Sequence, residues 1–255
     1  MRPVLALTLL TLGALAALAE PPKGALVVVG GGSTPEGLHR KLLDLGGGTN
    51  ANVLVIPLAS ALTNAGDSSV EVLRKAGAVR VSVLTAHDVE TAPAAVRAAA
   101  VIWFPGGDQS RLMAGLQRLG VVEAIRERYA QGAVIGGTSA GAAVMSQVMI
   151  TGNAKSPDDA PPMAEGLGLW PEVIVDQHFV KRAREPRLHK AVAAHPNLVG
   201  VGIDESTYVV LRGNTAEVFG RSTVTLLDAR EGKAEPKVAA LKTGATFDLA
   251  SETPK

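Results

Sequence analysis

The chain has 255 residues, a formal net charge of +1 at pH 7, 47% hydrophobic and 3% aromatic residues, and no cysteine. Near-neutral charge gives no electrostatic case for a nucleic acid partner, and scarce aromatics argue against a base-stacking or carbohydrate platform. Without cysteine there is no disulfide framework, so stability has to come from packing, and residues 20–255 are long enough to bury a core as a single domain.

The first stretch is read apart from the fold. Met1-Arg2-Pro3 is a short basic start, Val4 to Leu18 is almost wholly apolar, and Ala17-Leu18-Ala19 offers a small-x-small cleavage site before Glu20. This pattern marks residues 1–19 as a secretory signal peptide, since the apolar core is short for a membrane anchor and no stop-transfer pattern follows. The expected location is secreted or periplasmic, with no stable membrane association after signal cleavage.

Ala25-Leu26-Val27-Val28-Val29 is a fully apolar strand ending in Gly30-Gly31-Gly32. Ser33 and Glu36 stand at capping-box spacing, which predicts a helix over Glu36–Leu45. A dinucleotide fingerprint fails here, because the third glycine of G-x-G-x-x-G falls at Pro35. Strands are predicted at Asn52–Pro57, Val79–Leu84, Val101–Phe104 and Ala133–Ile135, with helices at Ser69–Ala76, Pro93–Ala99, Arg111–Leu119 and Val121–Ala130. Strands apolar on both faces that alternate with helices imply a parallel sheet covered on both sides. Ligands in such sheets bind at the carboxyl ends of the strands, where Gly30–Gly32, Gly106-Gly107-Asp108-Gln109 and Ser139 all fall.

Gly137-Thr138-Ser139-Ala140-Gly141 fits G-x-S-x-G, the strand-turn-helix elbow that pushes a serine hydroxyl outward between small neighbours. By itself the pattern fits equally a tight structural turn. Thr151 to Pro171 has little periodicity and reads as a long loop over the rim. Val173–Val175 leads into Asp176-Gln177-His178-Phe179 and a helical run through Arg184, Leu188 and Val192. Leu198–Ile203 is a strand that ends at Asp204-Glu205. Thr207–Leu211, Ala216–Phe219 and Val224–Leu227 read as a β-meander on the sheet edge, and the last residues as one edge strand and a frayed tail.

A serine nucleophile needs a base, and the base needs an orienting acid. Of the five histidines, His39 and His189 read as solvated helix surface, His87 as a loop residue and His195 as a helix end. His178 follows an apolar strand and belongs at the serine's rim, where it is either the base or a hydrogen-bonded core histidine. Asp204 and Glu205 are both candidate acids, and strand alternation lets only one of them point into the site. Arg182, Arg184 and Arg187 follow His178, either as a solvated face or as bidentate partners for substrate carboxylates. No His/Asp cluster has metal-ligand spacing, and this chemistry needs no metal or other cofactor.

Gly106–Gln109, Gly137–Ala142, the Asp176–Leu188 run and Gly202-Ile203-Asp204-Glu205 resemble, in order and spacing, the cyanophycinases, serine peptidases related to the aspartyl dipeptidases. The resemblance covers nearly the whole mature chain. It implies a three-layer α/β fold, flavodoxin-like and similar to the class I glutamine amidotransferases. It implies a Ser139–His178–Glu205 triad, oxyanion donors at the backbones of Ala140 and Gly107, and a substrate pocket of Gln109, Asp176, Gln177, Arg182, Arg184 and Arg187. In that pocket the arginines would meet aspartate carboxylates, and Asp176 a substrate guanidinium. The implied substrate is cyanophycin, a poly-aspartate backbone with arginine on each side-chain carboxyl, and the implied product is the β-Asp-Arg dipeptide.

Two departures stand out. Many members carry an acidic-lysine pair where this chain has Gly32-Ser33-Thr34-Pro35, and intracellular members lack a signal peptide. An aspartyl or isoaspartyl dipeptidase acting on short peptides is the alternative, as is a non-catalytic exported binding protein, although no triad member is missing. An α/β-hydrolase esterase fits less well, because its acid precedes its histidine. Related folds often pair as dimers, which makes a homodimer the assembly to look for.

Overall fold

Residues Ala25–Val29 form strand β1, with all five side chains buried. The computed structural model describes residues 21–156, 159–230 and 236–249, and the signal-peptide expectation for residues 1–19 lies outside them. After β1 come α1 (Leu38–Leu45), β2 (Asn52–Val55), α2 (Asp67–Lys75), β3 (Arg80–Val83), α3 (Ala92–Ala98), β4 (Val101–Phe104), α4 (Gln109–Arg118), α5 (Val122–Ala130), β5 (Val134–Thr138) and α6 (Ala140–Ala143). The second half runs through β6 (Val148–Ile150), β7 (Met163–Glu165), β8 (Val173–Gln177), α7 (Glu185–Ala194), β9 (Val199–Ile203), β10 (Thr207–Arg212), β11 (Thr215–Gly220), β12 (Val224–Asp228), β13 (Lys237–Leu241) and β14 (Thr246–Asp248).

The main sheet has eight strands in the order β14-β11-β10-β1-β5-β4-β2-β3. Its β1, β5, β4, β2 and β3 pair in parallel, and β10, β11 and β14 extend it antiparallel. Strand alternation splits the core in two. Val27 and Val29 of β1 pack with Trp103 and the leucines of α1 on one face. Leu26 and Val28 pack with Phe104, Ile135 and the buried residues of α3 to α6 on the other. The predicted α/β architecture with a mostly parallel central sheet is what the chain adopts. Among the described residues no helix is long and apolar enough to cross a membrane.

Several details differ from expectation. Helix α1 begins at Leu38 behind Gly37, which is left-handed at φ 75° and has no side-chain cap, so Ser33 and Glu36 do not form a capping box. The Thr151–Pro171 segment is not one open loop. Its β7 pairs antiparallel with β6, and the Leu167 amide donates to the Val144 carbonyl at 2.6 Å. The expected meander is divided: β10 and β11 stay on the main sheet, while β12 joins a second sheet ordered β13-β12-β9-β8. Gly220, at φ 118°, ends β11 just before the chain crosses. The C-terminal stretch holds two strands, β13 and β14, in different sheets. His39 is half-buried, edge-on to Trp103 with ring centroids 5.5 Å apart, and is not solvated surface.

Candidate active site

The strand that carries His178 and the strand that carries Ser139 belong to different sheets, so their meeting needs a junction. The carboxyl end of β1 supplies it. Three consecutive carbonyls accept from three segments: Val29 from the Ser139 amide at 3.0 Å, Gly30 from the His178 amide at 2.7 Å and Gly31 from the Ser206 amide at 2.9 Å. Ser206 follows Glu205, so all three candidate residues hang from one short run of backbone.

Side chains cannot crowd this junction. A Cβ on Gly31 would stand 2.3 Å from Cε1 of the His178 ring, and Gly31 is itself at φ +100°. Glycine is the residue that satisfies both demands. A similar approach lies under the serine, where a Cβ on Gly141 would stand 2.2 Å from the Phe104 carbonyl oxygen. That contact lets α6 start directly behind β5.

Ser139 sits at φ 54°, ψ −112°, and His178 at φ 50°. Both are left-handed non-glycine residues, a conformation that costs energy and persists only where the surroundings over-determine it. Oγ of Ser139 lies 2.9 Å from Nε2 of His178. Nδ1 of His178 lies 2.7 Å from Oε1 of Glu205. A carboxylate only accepts, so Nδ1 carries the proton and Nε2 is left to accept from the serine hydroxyl. The imidazole is buried, whereas Ser139 and Glu205 are partly exposed. Asp204, the other candidate acid, points away. Its carboxylate accepts from the Lys181 amide at 2.9 Å and from the Ser222 hydroxyl at 2.6 Å.

The Gly106-Gly107 turn runs beside the serine: a Cβ on Gly106 would lie 3.4 Å from the Ser139 Cβ. Ala140 opens α6, so its amide is among those the helix leaves without an acceptor. Asp108 caps α4 by accepting from the Arg111 amide at 2.7 Å. Gln109, half-buried, donates through Nε2 to the Ile150 carbonyl at 2.7 Å, which ties α4 to the β6–β7 hairpin.

The arginine-rich run is arranged differently from the expectation. Asp176 is 0% exposed, and its carboxylate accepts from Arg187 Nε at 2.8 Å and Nη2 at 2.5 Å, with Arg184 Nη1 at 3.4 Å. A buried carboxylate requires such partners, so Asp176 is occupied within the chain and is not open to a substrate guanidinium. Arg184 also donates to the Gln177 backbone carbonyl at 2.6 Å and to the Gln177 side-chain oxygen. Burial, then the neighbouring Arg187 guanidinium, pull Arg184 down to about 10, partly offset by Asp176, and it stays cationic at neutral pH. Arg187 reaches the hairpin as well, with Nη1 3.0 Å from Asn153 Oδ1. Arg182 lies on the exposed side of the turn after His178. Two guanidiniums thus share one buried carboxylate, and the cluster keeps net positive charge. Among the described residues no group of three or more His, Asp or Glu side chains could hold a metal ion.

The structure brings Ser139, His178 and Glu205 together, with Ala140 directly after the serine and Gly106 against it, while the neighbouring Gly107 lies against Ala59. It turns Asp176 and Gln177 inward. Residue spacing alone gave no sign of the β1 carbonyls or of the donors converging on Asp204. The glycine run after β1 marked only a tight turn.

The chain as a whole is similar to known peptidases. Residues 26–219 match the profile of Peptidase family S51. The chain is 39% identical over 222 residues to the cyanophycinase of Geminocystis herdmanii, spanning 82% of this chain and 82% of that protein. It is 26% identical over 204 residues to the peptidase E of Pasteurella multocida, spanning 77% of this chain and 84% of that one. The crystal structure of a peptidase from an acI-B1 actinobacterium superposes with a TM-score of 0.68 at 25% identity, covering 89% of this chain and 97% of its own.

Proposed function

The chain belongs to peptidase family S51 and is a serine-type peptidase, and from that premise we propose that it is an exported enzyme that degrades cyanophycin to β-Asp-Arg dipeptides through an acyl-enzyme. One observation carries the reading: the hydrogen-bonded series Ser139–His178–Glu205, in a chain 39% identical to a cyanophycinase. Export rests on the basic start, apolar core and small-x-small site of residues 1–19.

In the proposed reaction Ser139 Oγ attacks a carbonyl of the aspartate backbone, leaving the β-linked arginines in place, while Nε2 of His178 takes its proton. Glu205 remains a carboxylate, orients the ring and stabilises the imidazolium. The amides of Ala140 and Gly107 hold the oxyanion. As the C–N bond breaks, His178 returns the proton to the leaving amine. Water, deprotonated by His178, then attacks the acyl-enzyme and releases Ser139. The positive cluster of Arg184 and Arg187, with exposed Arg182 nearby in the chain, suits the free carboxylates of such a substrate, those of the attached arginines and of the chain terminus. Asp176 serves this pocket by holding the arginines, with Gln109 and Gln177 fixing its walls.

A second reading, a dipeptidase for short aspartyl peptides, is favoured by the similarity to peptidase E and by the β6–β7 hairpin segment that Arg187 and Gln109 draw toward the site. A fluorophosphonate probe tests the chemistry common to both. It is expected to add one adduct, located at Ser139 by peptide mass; an adduct elsewhere, or none, overturns the proposed nucleophile. Cleavage of short β-aspartyl peptides with cyanophycin left intact would favour the second reading.

A further inference from the structure

Two carboxylates stand side by side at the end of β9, and only Glu205 faces the imidazole. Asp204 is 8% exposed. Its Oδ1 accepts from the Lys181 amide at 2.9 Å and its Oδ2 from the Ser222 hydroxyl at 2.6 Å. Burial pushes the Asp204 carboxyl up, but hydrogen bonding outweighs it and holds the group below its ordinary range. Lys181 lends only its amide, and the ionisable group facing His178 is Glu205.

The two donors come from separate places: the Lys181 amide in the turn after His178 and the Ser222 hydroxyl in the turn before β12. His178 is left-handed at φ 50° and needs such a frame. Within the turn, Arg182, Ala183 and Arg184 amides donate to the His178, Val180 and Phe179 carbonyls at 3.0, 3.0 and 2.9 Å; outward, it is tied by the His178 amide to the Gly30 carbonyl at 2.7 Å and by a long bond from the Phe179 amide to the Ile203 carbonyl at 3.3 Å. We propose that Asp204 is a positioning residue for the His178–Glu205 pair: its carboxylate ties the turn after His178 to the turn before β12 across the end of β9, which runs directly into Glu205, and so sets the imidazole against Ser139. A carboxylate is required because both oxygens accept. An asparagine offers one acceptor and turns an NH2 toward the remaining donor.

The proposal rests on the triad reading, and one experiment separates the two. The second-order rate of fluorophosphonate labelling, with its pH dependence, is measured for wild type, Ser139→Ala, Asp204→Asn and Ser222→Ala, alongside circular dichroism and thermal melting. Asp204→Asn is expected to keep the native spectrum, to label roughly 10- to 100-fold more slowly, as small misplacements of a catalytic group do, and to move the pH midpoint of labelling. Ser222→Ala, which keeps the carboxylate and removes one donor, is expected to label severalfold more slowly even if Asp204→Asn does not fold. A wild-type rate and midpoint in Ser222→Ala and in folded Asp204→Asn overturn the proposal while the triad stands. So does a loss that tracks only the fraction of protein folded. Labelling of Ser139→Ala as fast as wild type, or no labelling of wild type, overturns the triad reading and the proposal with it.

Discussion

At Gly31 a single hydrogen stands where any side chain would meet the His178 ring. A Cβ there would lie 2.3 Å from Cε1, on a backbone already at φ +100°. Gly31→Ala therefore forces either the ring or the β1 carbonyl junction to move. The expected cost is about 1–3 kcal/mol of stability from the backbone conformation alone. A fall in kcat should accompany it, because the ring shifts relative to Ser139. Denaturant melts and kinetics on the same preparation check this, and wild-type values for both contradict it. At this scale much was legible in advance. The small residues around Ser139 fit an elbow and a plain tight turn alike, and an apolar strand running into His178 places that residue at a rim. The role of Asp176 was not legible, because sequence does not say which carboxylate a guanidinium meets. Arg187 lies eleven positions from Asp176 and is held to it at 2.5 Å.

Elements meet through a few side-chain ties as well as through packing. Ser146 is 0% exposed, and its hydroxyl oxygen accepts from the Val175 amide at 2.9 Å, which joins the chain after α6 to β8 of the second sheet. Ser146→Ala leaves that buried amide without an acceptor and is expected to cost about 1–3 kcal/mol. The readout is the urea midpoint, with kcat of the folded fraction little changed; an unaltered midpoint contradicts the tie. Strand identities were legible from composition, since Val27, Val53 and Val101 lie in runs apolar on both faces. Strand partners were not. Val224–Leu227 resembles its neighbours β10 and β11 in sequence, yet it pairs with β9 on the other sheet. The start of α1 was misjudged for a related reason: a left-handed Gly37 begins the helix and the capping-box residues remain outside it.

For the whole molecule, pH dependence of stability should have two steps. Burial against Trp103 lowers His39 from its ordinary 6.5. The unfolded chain therefore takes up that proton first, and the contribution of neutral His39 is complete above 6.5 and lost as pH falls through the lower folded value. Asp228, lowered from 3.8 chiefly by its hydrogen bond with Arg230, and Asp204, lowered from 3.8 by hydrogen bonds that outweigh burial, contribute stability above that value and lose it as pH falls through their folded values. The urea midpoint of wild type should fall between about pH 8 and about pH 5, and in His39→Gln this step should be absent. A flat wild-type midpoint over that range contradicts the assignment. The architecture as a whole was legible, because alternating strands and helices leave few topologies, whereas the division into two sheets depends on turns whose direction composition does not encode. The central claim is that this fold hangs Ser139, His178 and Glu205 from β1 to hydrolyse an aspartate-backbone polymer. Its most direct test is the mass spectrum of cyanophycin incubated with wild type and with Ser139→Ala. The account predicts β-Asp-Arg from wild type and a rate lower by at least about 10⁴-fold from the folded variant; equal release by the variant, or intact polymer with wild type, would contradict it.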